Sequence, residues 1–220
     1  MAENQTTDLI LQLKRGIINY DETAVKAAAH KLVSSRIDAK KAILEGLVAG
    51  MKSVGELYDR KEIFLPEILI STEIFYTGLN ILKGGKKEEG LLPEKIGEIV
   101  IGTVEGDIHD LGKNIVKIML ETSGFVVHDL GANVPAEKFV DELKKSGVQI
   151  VALSTMMTTT LMEMDKIVDL VHSQKLNARI IIGGAAVTPE IANRFEADGF
   201  APNAFGAVKL AKRLITGNQE

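Results

Sequence analysis

With 220 residues, 45% hydrophobic, 25% charged and 5% aromatic, the chain has the composition of a soluble globular protein with room for one large domain or two small ones. A net charge of −4 and a pI of about 5.7 leave no basic excess to neutralise phosphates, which argues against a nucleic-acid partner. Zero cysteines remove disulfides, thiol catalysis, iron–sulfur clusters and thiolate zinc sites. They fit a reducing cytoplasm, the expected location. No apolar run approaches the ~18 residues of a membrane span, so no membrane partner is expected. The polar, acidic start MAENQTTD predicts neither a secretory nor a transit segment.

From about residue 6 to 83 the apolar residues recur at helical spacing. Ile10, Leu11, Leu13, Ile17 and Ile18 form one stripe, and Asp21 opens a second helix carrying Ala24, Val25, Ala28, Leu32 and Val33. Asp38 is a predicted N-cap for a longer helix through Ile43, Leu47, Met51, Val54 and Tyr58. Pro66, where a first-turn proline is tolerated, precedes a fourth stripe of Ile68, Leu69, Thr72, Phe75, Leu79 and Leu82. Residues 1–83 therefore read as a four-helix bundle. The stretch KGGKKEEGLLPEK, with three glycines, one proline and seven charges, cannot continue a helix, and 84–95 is the predicted linker.

From 96 to 220 short β-rich runs alternate with helical ones. Strands are predicted at Glu98–Val104, Phe125–Leu130, Ile150–Ser154, Arg179–Ile182 and Phe200–Phe205, with helices beginning near Gly112, Pro135, Thr159, Pro189 and after Phe205. Five strands alternating with helices imply a parallel, doubly wound, flavodoxin- or Rossmann-like α/β domain with ligands at the strands' carboxyl ends.

The segment TVEGDIHDLGKNIV, Thr103 to Val116, joins the first strand to its helix, where this fold class binds ligands. Asp107 and His109 lie two apart in an extended loop, so both side chains can point the same way. A carboxylate beside an imidazole holds one ring nitrogen as a donor and leaves the other for a metal. Gly106 and Gly112 remove bulk on either side. Alone, D-x-H also describes a helix-capping Asp beside an incidental His. The phosphate-loop signature G-x-x-x-x-G-K-[ST] and the dinucleotide signature G-x-G-x-x-G are both missing. His30, His128 and His172 fall on other elements and add no ligands, so a lone histidine suits a cofactor that brings its own metal. Two further elements fall at neighbouring strand ends. Ser154 opens S-T-M after the third strand, and Gly183–Gly184 follows the fourth, leaving backbone against which a long narrow group could lie.

Together, D-x-H-x-x-G, S-x-[L/M] and G-G in this order resemble the cobalamin-binding domain of corrinoid proteins. The N-terminal helices, with YDRKEIFLPEILISTEIF, resemble the helical cap domain of methionine synthase and of corrinoid methyl-carrier proteins. Size and domain order are most similar to the free-standing corrinoid protein of three-component methyltransferase systems. The resemblance implies that the lower dimethylbenzimidazole base leaves the cobalt, that His109 replaces it as the axial metal ligand, and that Asp107 bonds its other nitrogen. Thr160 matches the hydroxyl that completes an Asp–His–Ser/Thr relay. Ser154 and Thr158 match nucleotide and corrin contacts. Gly106, Asp107, Ile108, His109 and Asp110 line the lower face, Gly112 is a further cofactor-binding position, the nucleotide tail passes Gly183 and Gly184, and Ala204 matches a late-loop contact. Met156 stands where the family usually has Leu, a swap of similar volume. Phe64, Leu65 and Phe75 are candidates for shielding the upper cobalt face.

The function implied is methyl transport, cob(I)alamin taking a methyl group from a donor on one methyltransferase. Methylcob(III)alamin then yields it to an acceptor, tetrahydrofolate or a thiol, on another, and a reductive activation protein restores the cobalt. The chain would then be the non-catalytic subunit of the system. A mutase subunit using adenosylcobalamin shares the sheet motifs but does not need the helical cap. A cobalamin-sensing regulator would bring a basic recognition helix, which the N-terminal half lacks. A receiver-like sheet domain would carry an acidic cluster at the first strand's end, and none is present there.

Overall fold

Asp21 and Asp38 restart the helical pattern by capping. Asp21 accepts a hydrogen bond from the Ala24 N–H at 2.9 Å and Asp38 from the Lys40 N–H at 3.0 Å, each satisfying a donor that the first helical turn leaves unpaired. The computed structural model describes residues 2–35, 37–84 and 94–217. It divides into two compact units, Met1–Glu94 and Lys95–Glu220. Residues 85–93, most of the predicted linker, lie outside the described residues.

The first unit is helical: α1 (Ala2–Ile18), α2 (Glu22–Ser34), α3 (Ala39–Ala42), a π-helical turn (Ile43–Val48), α4 (Ala49–Asp59) and α5 (Leu65–Lys83). The third predicted helix is thus one run, α3 to α4, widened in the middle. Gly46 and Gly50 allow α1 to come close there. A Cβ on Gly46 would stand 2.9 Å from the Leu13 Cβ, and one on Gly50 2.8 Å from the Ile17 Cβ. The buried Ser71 hydroxyl of α5 donates to the Ile17 carbonyl at 3.0 Å, using an acceptor freed at the end of α1. Phe75 is core, whereas Phe64 and Leu65 are exposed on the described unit. The three shielding candidates therefore separate into one packing residue and two surface residues.

The second unit alternates β1 (Gly97–Thr103), α6 (Leu111–Thr122), β2 (Phe125–Asp129), α7 (Ala136–Ser146), β3 (Ile150–Ser154), a 3-10 turn (Thr158–Thr160), α8 (Leu161–Ser173), β4 (Arg179–Gly183), α9 (Pro189–Arg194), β5 (Gly199–Ala201) and α10 (Ala204–Thr216). All pairs are parallel, in the order β2-β1-β3-β4-β5. Helices on both faces explain why the strands read as unbroken apolar runs, Ile99–Val100–Ile101, Val151–Ala152–Leu153 and Ile180–Ile181–Ile182, all buried. β5 is shorter than predicted because Asn203 accepts from the Gly206 N–H at 2.7 Å and starts α10 early.

Parallel pairing puts every strand's carboxyl end on one edge. Thr103 pairs with Ser154, Ser154 with Gly183, and Gly183 with Ala201, so the three sequence elements form one row across adjacent strands. The order reverses between β1 and β3, where doubly wound sheets bind their ligands. Among the described residues no helix is long and apolar enough to cross a membrane.

Candidate functional site

The loop after β1 is held from three sides. The buried Thr103 hydroxyl donates to the His109 carbonyl at 3.3 Å, and the Asp107 N–H donates to the Val104 carbonyl at 3.2 Å. From the neighbouring β2–α7 loop, Asn133 accepts from the Gly106 N–H at 2.8 Å and donates its own N–H to the Asp107 carbonyl at 2.9 Å. Asn133 has φ +54 and Gly106 φ +81, left-handed conformations that asparagine and glycine tolerate best. The β2–α7 loop is anchored in turn by Lys113, only 1% exposed. Its Nζ donates to Asp129 Oδ1 at 2.7 Å and to Asn114 Oδ1 at 2.6 Å, and Asp129 Oδ1 also accepts the Gly131 N–H.

Asp107 is fully buried and its four acceptor positions are filled. Oδ1 accepts the His109 N–H at 2.9 Å and faces His109 Nδ1 at 2.7 Å. Oδ2 accepts the Thr155 hydroxyl at 2.8 Å and the Met156 N–H at 2.7 Å. Burial by itself raises the carboxyl's pKa. The two backbone N–H groups, the Thr155 hydroxyl and the His109 ring outweigh it and lower the value to about 2. An ionised carboxylate only accepts, so Nδ1 of His109 carries a proton, and in the neutral ring Nε2 is the nitrogen with the free lone pair. The His109 side chain is 53% exposed at the sheet's edge.

The predicted Asp107–His109–Thr160 relay needs a correction. No hydrogen bond joins Thr160 to Asp107, and the hydroxyl on Asp107 Oδ2 is that of Thr155. The Thr160 hydroxyl lies 2.6 Å from that of Thr155 and 3.1 Å from the Met157 carbonyl. Thr155 was invisible to motif reading because its side chain meets Asp107 only through the β1–β3 pairing. Lys113 and Asn133 were missed for a similar reason. The only hints were a lysine inside an apolar helix pattern and an asparagine in a turn.

Gly183 and Gly184 have a packing role. A Cβ on Gly184, at φ +114, would stand 1.9 Å from the Thr155 carbonyl oxygen, and one on Gly183 would stand 2.9 Å from that of Ala201. The pair lets β4 turn against Thr155, whose N–H donates to the Gly183 carbonyl at 3.1 Å. Gly112 is different. A Cβ there meets nothing within 4 Å and its backbone is ordinary helix, so nothing in the chain itself explains the glycine. Ser154 ends β3, Thr158 is exposed on the 3-10 turn, Asp110 precedes α6 and accepts from Asn114 Nδ2 at 3.1 Å, and Ala204 opens α10. All lie in segments that follow or end strands on this edge.

Five of the seven exposed large hydrophobic side chains in this unit, Ile108, Leu111, Met156, Met157 and Met162, belong to the same loops and helix starts. Among the described residues no group of three His, Cys, Asp or Glu could hold a metal ion. Both nitrogens of His128 are taken, by Glu142 at 3.1 Å and Glu98 at 2.9 Å, and His30 and His172 are exposed on α2 and α8. The single exposed imidazole at this edge, room at Gly112 and an apolar rim fit a broad apolar group that carries its own metal.

Models of the B12 binding domain match residues 97–209 and, for a second such domain, residues 9–83. The chain belongs to the B12-binding corrinoid proteins. Its cofactor is therefore a cobalamin, and the features just described fit one. This corrinoid protein is 39% identical over 210 residues to dimethylamine corrinoid protein 1 of Methanosarcina acetivorans, covering 94% of this chain and 98% of that one. A crystal structure of a cobalamin-binding protein from Desulfitobacterium hafniense DCB-2 superposes with a TM-score of 0.71 at 35% identity, over 93% of this chain and 98% of that one. The methanol:cobalamin methyltransferase complex MtaBC from Methanosarcina barkeri contains a similar chain, with a TM-score of 0.80 at 29% identity, over 97% and 81%.

Proposed function

We propose that this corrinoid protein binds cobalamin base-off with His109 Nε2 as the lower cobalt ligand, and that it shuttles a methyl group between two methyltransferases in the cytoplasm. The observation that carries the reading is the occupied Nδ1. With that nitrogen on Asp107, Nε2 is the ring nitrogen left to bind a metal. Bound cobalamin supplies a cobalt able to accept and release a methyl group. The protein's part is to hold and present it. Asp107 fixes the tautomer and orientation of His109, and Ile108, Leu111 and Met156 offer apolar surface to the corrin. Gly112 leaves space for it, while Gly106, Asp110, Ser154, Thr158, Gly183, Gly184 and Ala204 would hold the ring and nucleotide tail. The helical unit acts as the cap and the glycine-rich segment 84–95 as its linker.

Similarity to dimethylamine and methanol-system corrinoid proteins supports a donor-specific methyltransferase as first partner. The second partner is an acceptor methyltransferase serving tetrahydrofolate or a thiol, and a reductive activation protein completes the set. No second acid–base constellation accompanies Asp107 and His109 at the described edge, so donor activation falls to the partner. The test is reconstitution with cobalamin followed by paramagnetic resonance of the Co(II) state. The expected spectrum shows splitting by one protein nitrogen, lost in His109→Ala. A protein that stays colourless refutes cobalamin binding, and splitting that survives His109→Ala refutes His109 as ligand. Reduced holoprotein is expected to react slowly with free methanol or methylamines and fast with the cognate methyltransferase added. Fast reaction by the chain alone overturns the carrier role.

A further inference from the structure

We propose that Asn133, reaching across from the β2–α7 loop, fixes where the His109 loop stands on the sheet's edge, making Asn133 a positioning residue for the lower cobalt ligand. The platform beneath Asn133 is tied to β1 on both sides. Before it, the Leu130 N–H donates to the Ile101 carbonyl at 2.9 Å and the Thr103 N–H donates to the Gly131 carbonyl at 3.0 Å. After it, the Val134 N–H donates to the Thr103 carbonyl at 3.0 Å. These bonds carry the β1–β2 pairing past the end of β2, so the loop has a fixed register on β1. From there one residue grips the ligand loop twice. Asn133 Oδ1 accepts the Gly106 N–H at 2.8 Å, and the Asn133 N–H donates to the Asp107 carbonyl at 2.9 Å. Both ends of the Gly106–Asp107 pair, which leads into Ile108 and His109, are held.

The left-handed φ of +54 at Asn133 is one that glycine would adopt at less cost. What asparagine adds there is the side-chain oxygen on Gly106. The bonds of the Asp107 carboxylate to Thr155, Met156 and His109 do not involve Asn133, so its grip can be released with those bonds in place. Glycine at position 133 does this, because it keeps the left-handed backbone and the N–H to the Asp107 carbonyl and loses only Oδ1. A ligand already ordered gives up little further conformational freedom on binding metal, whereas a loosened loop must be ordered at that moment. Releasing the grip therefore weakens imidazole ligation while the fold keeps its stability. A purely structural role predicts the reverse, a less stable sheet unit with ligation unchanged.

The inference rests on His109 being the cobalt ligand, so the test has one arm without cobalamin. In the cobalamin-free protein the Asp107 and His109 amides, whose own acceptors are the Val104 carbonyl and Asp107 Oδ1, are expected to exchange about fivefold faster in Asn133→Gly, the net worth of one hydrogen bond. Faster exchange at Gly106 alone would mean that the bond matters only to its own atoms, and overturns the proposal. Asn133→Asp keeps an acceptor for Gly106 and tolerates the same φ, so it should restore the wild-type rates. In the holoprotein Asn133→Gly is expected to weaken imidazole ligation of Co(II) about fivefold, making reduction to Co(I) easier by about 40 mV at 59 mV per tenfold for one electron. The added negative charge of Asn133→Asp opposes such a shift and cannot mimic it. Unchanged or harder reduction in Asn133→Gly, or Asp107 and His109 amides as fast in Asn133→Asp as in Asn133→Gly, overturns the proposal. So does unfolding of Asn133→Gly or a clear loss of its stability in urea, since that marks Asn133 as a structural residue. A wild-type Co(II) spectrum without protein nitrogen overturns the ligand reading instead, and the cobalamin-free arm still decides whether Asn133 orders the loop.

Discussion

Replacing Asp107 by Asn in the cobalamin-free protein removes a buried charge while keeping the shape of the side chain. The carboxyl is held at about 2 against an ordinary 3.8, and the group is fully buried, so no solvent screening discounts the effect. A carboxyl with a lowered folded pKa stabilises the fold above its unfolded value and loses that contribution as pH falls through the folded one. The shift corresponds to about 2 kcal/mol at neutral pH, nearly half of it gone by about pH 3 and most of it by about pH 2. Asn adds a second penalty, because its amide N–H₂ must face either the two His109 donors or the Thr155 and Met156 donors. The wild type is therefore expected to exceed Asp107→Asn by at least about 2 kcal/mol at pH 7, with the gap narrowing as the solution is acidified. Other carboxylates with lowered values, Asp129 among them, titrate in both proteins and cancel in the difference. The three tyrosines, Tyr20, Tyr58 and Tyr76, all lie in the helical unit and do not report on the sheet. The assay is urea unfolding at a series of pH values, followed by the methyl resonances of Ile99, Ile150 and Ile180. A gap that stays constant from about pH 5 to about pH 2 would refute the assignment of the lowered carboxyl to Asp107.

Gly112→Ala is expected to leave the cobalamin-free protein unchanged or up to about 1 kcal/mol more stable, since helix propensity improves and the added methyl meets nothing. The same change should weaken cobalamin uptake about tenfold or more, the loss of roughly one good contact's worth of fit; equal affinity would show that no ligand approaches there. Gly184→Ala places a Cβ against the Thr155 backbone at an unfavourable φ and is expected to destabilise the sheet unit by about 3 kcal/mol or more, measured by the same urea titration. Lys113→Met leaves Asp129 with Lys117 at 3.4 Å and the Gly131 N–H. A loss of about 2 kcal/mol is expected, below the usual cost of breaking a buried pair because Lys117 remains. Its second readout is faster exchange of the Gly106 amide as the Asn133 loop loosens.

The amino-acid sequence alone lays out the alternation of elements. Capping aspartates, the helical stripes and the apolar runs of β1, β3 and β4 are local signals, set by periodicity and turn chemistry over a few residues. It also located Asp107 and His109, because two residues in one loop need no tertiary contact to meet. What bonds to the far side of that carboxylate was decided only by the fold. Thr155 reaches Asp107 across forty-eight positions because β3 pairs with β1, and it displaces Thr160, which family resemblance alone had placed in the relay. The glycine pair shows the same division. Its presence after β4 was legible, but the reason, a Thr155 carbonyl where a Cβ would be, exists only once β3 and β4 lie side by side. Lys113 is buried against Asp129 only because α6 packs beside β2, and no local pattern marks a lysine whose partner sits sixteen positions away. Periodicity along the chain carries local structure, whereas hydrogen-bond partners between strands depend on register, which the packed sheet alone fixes.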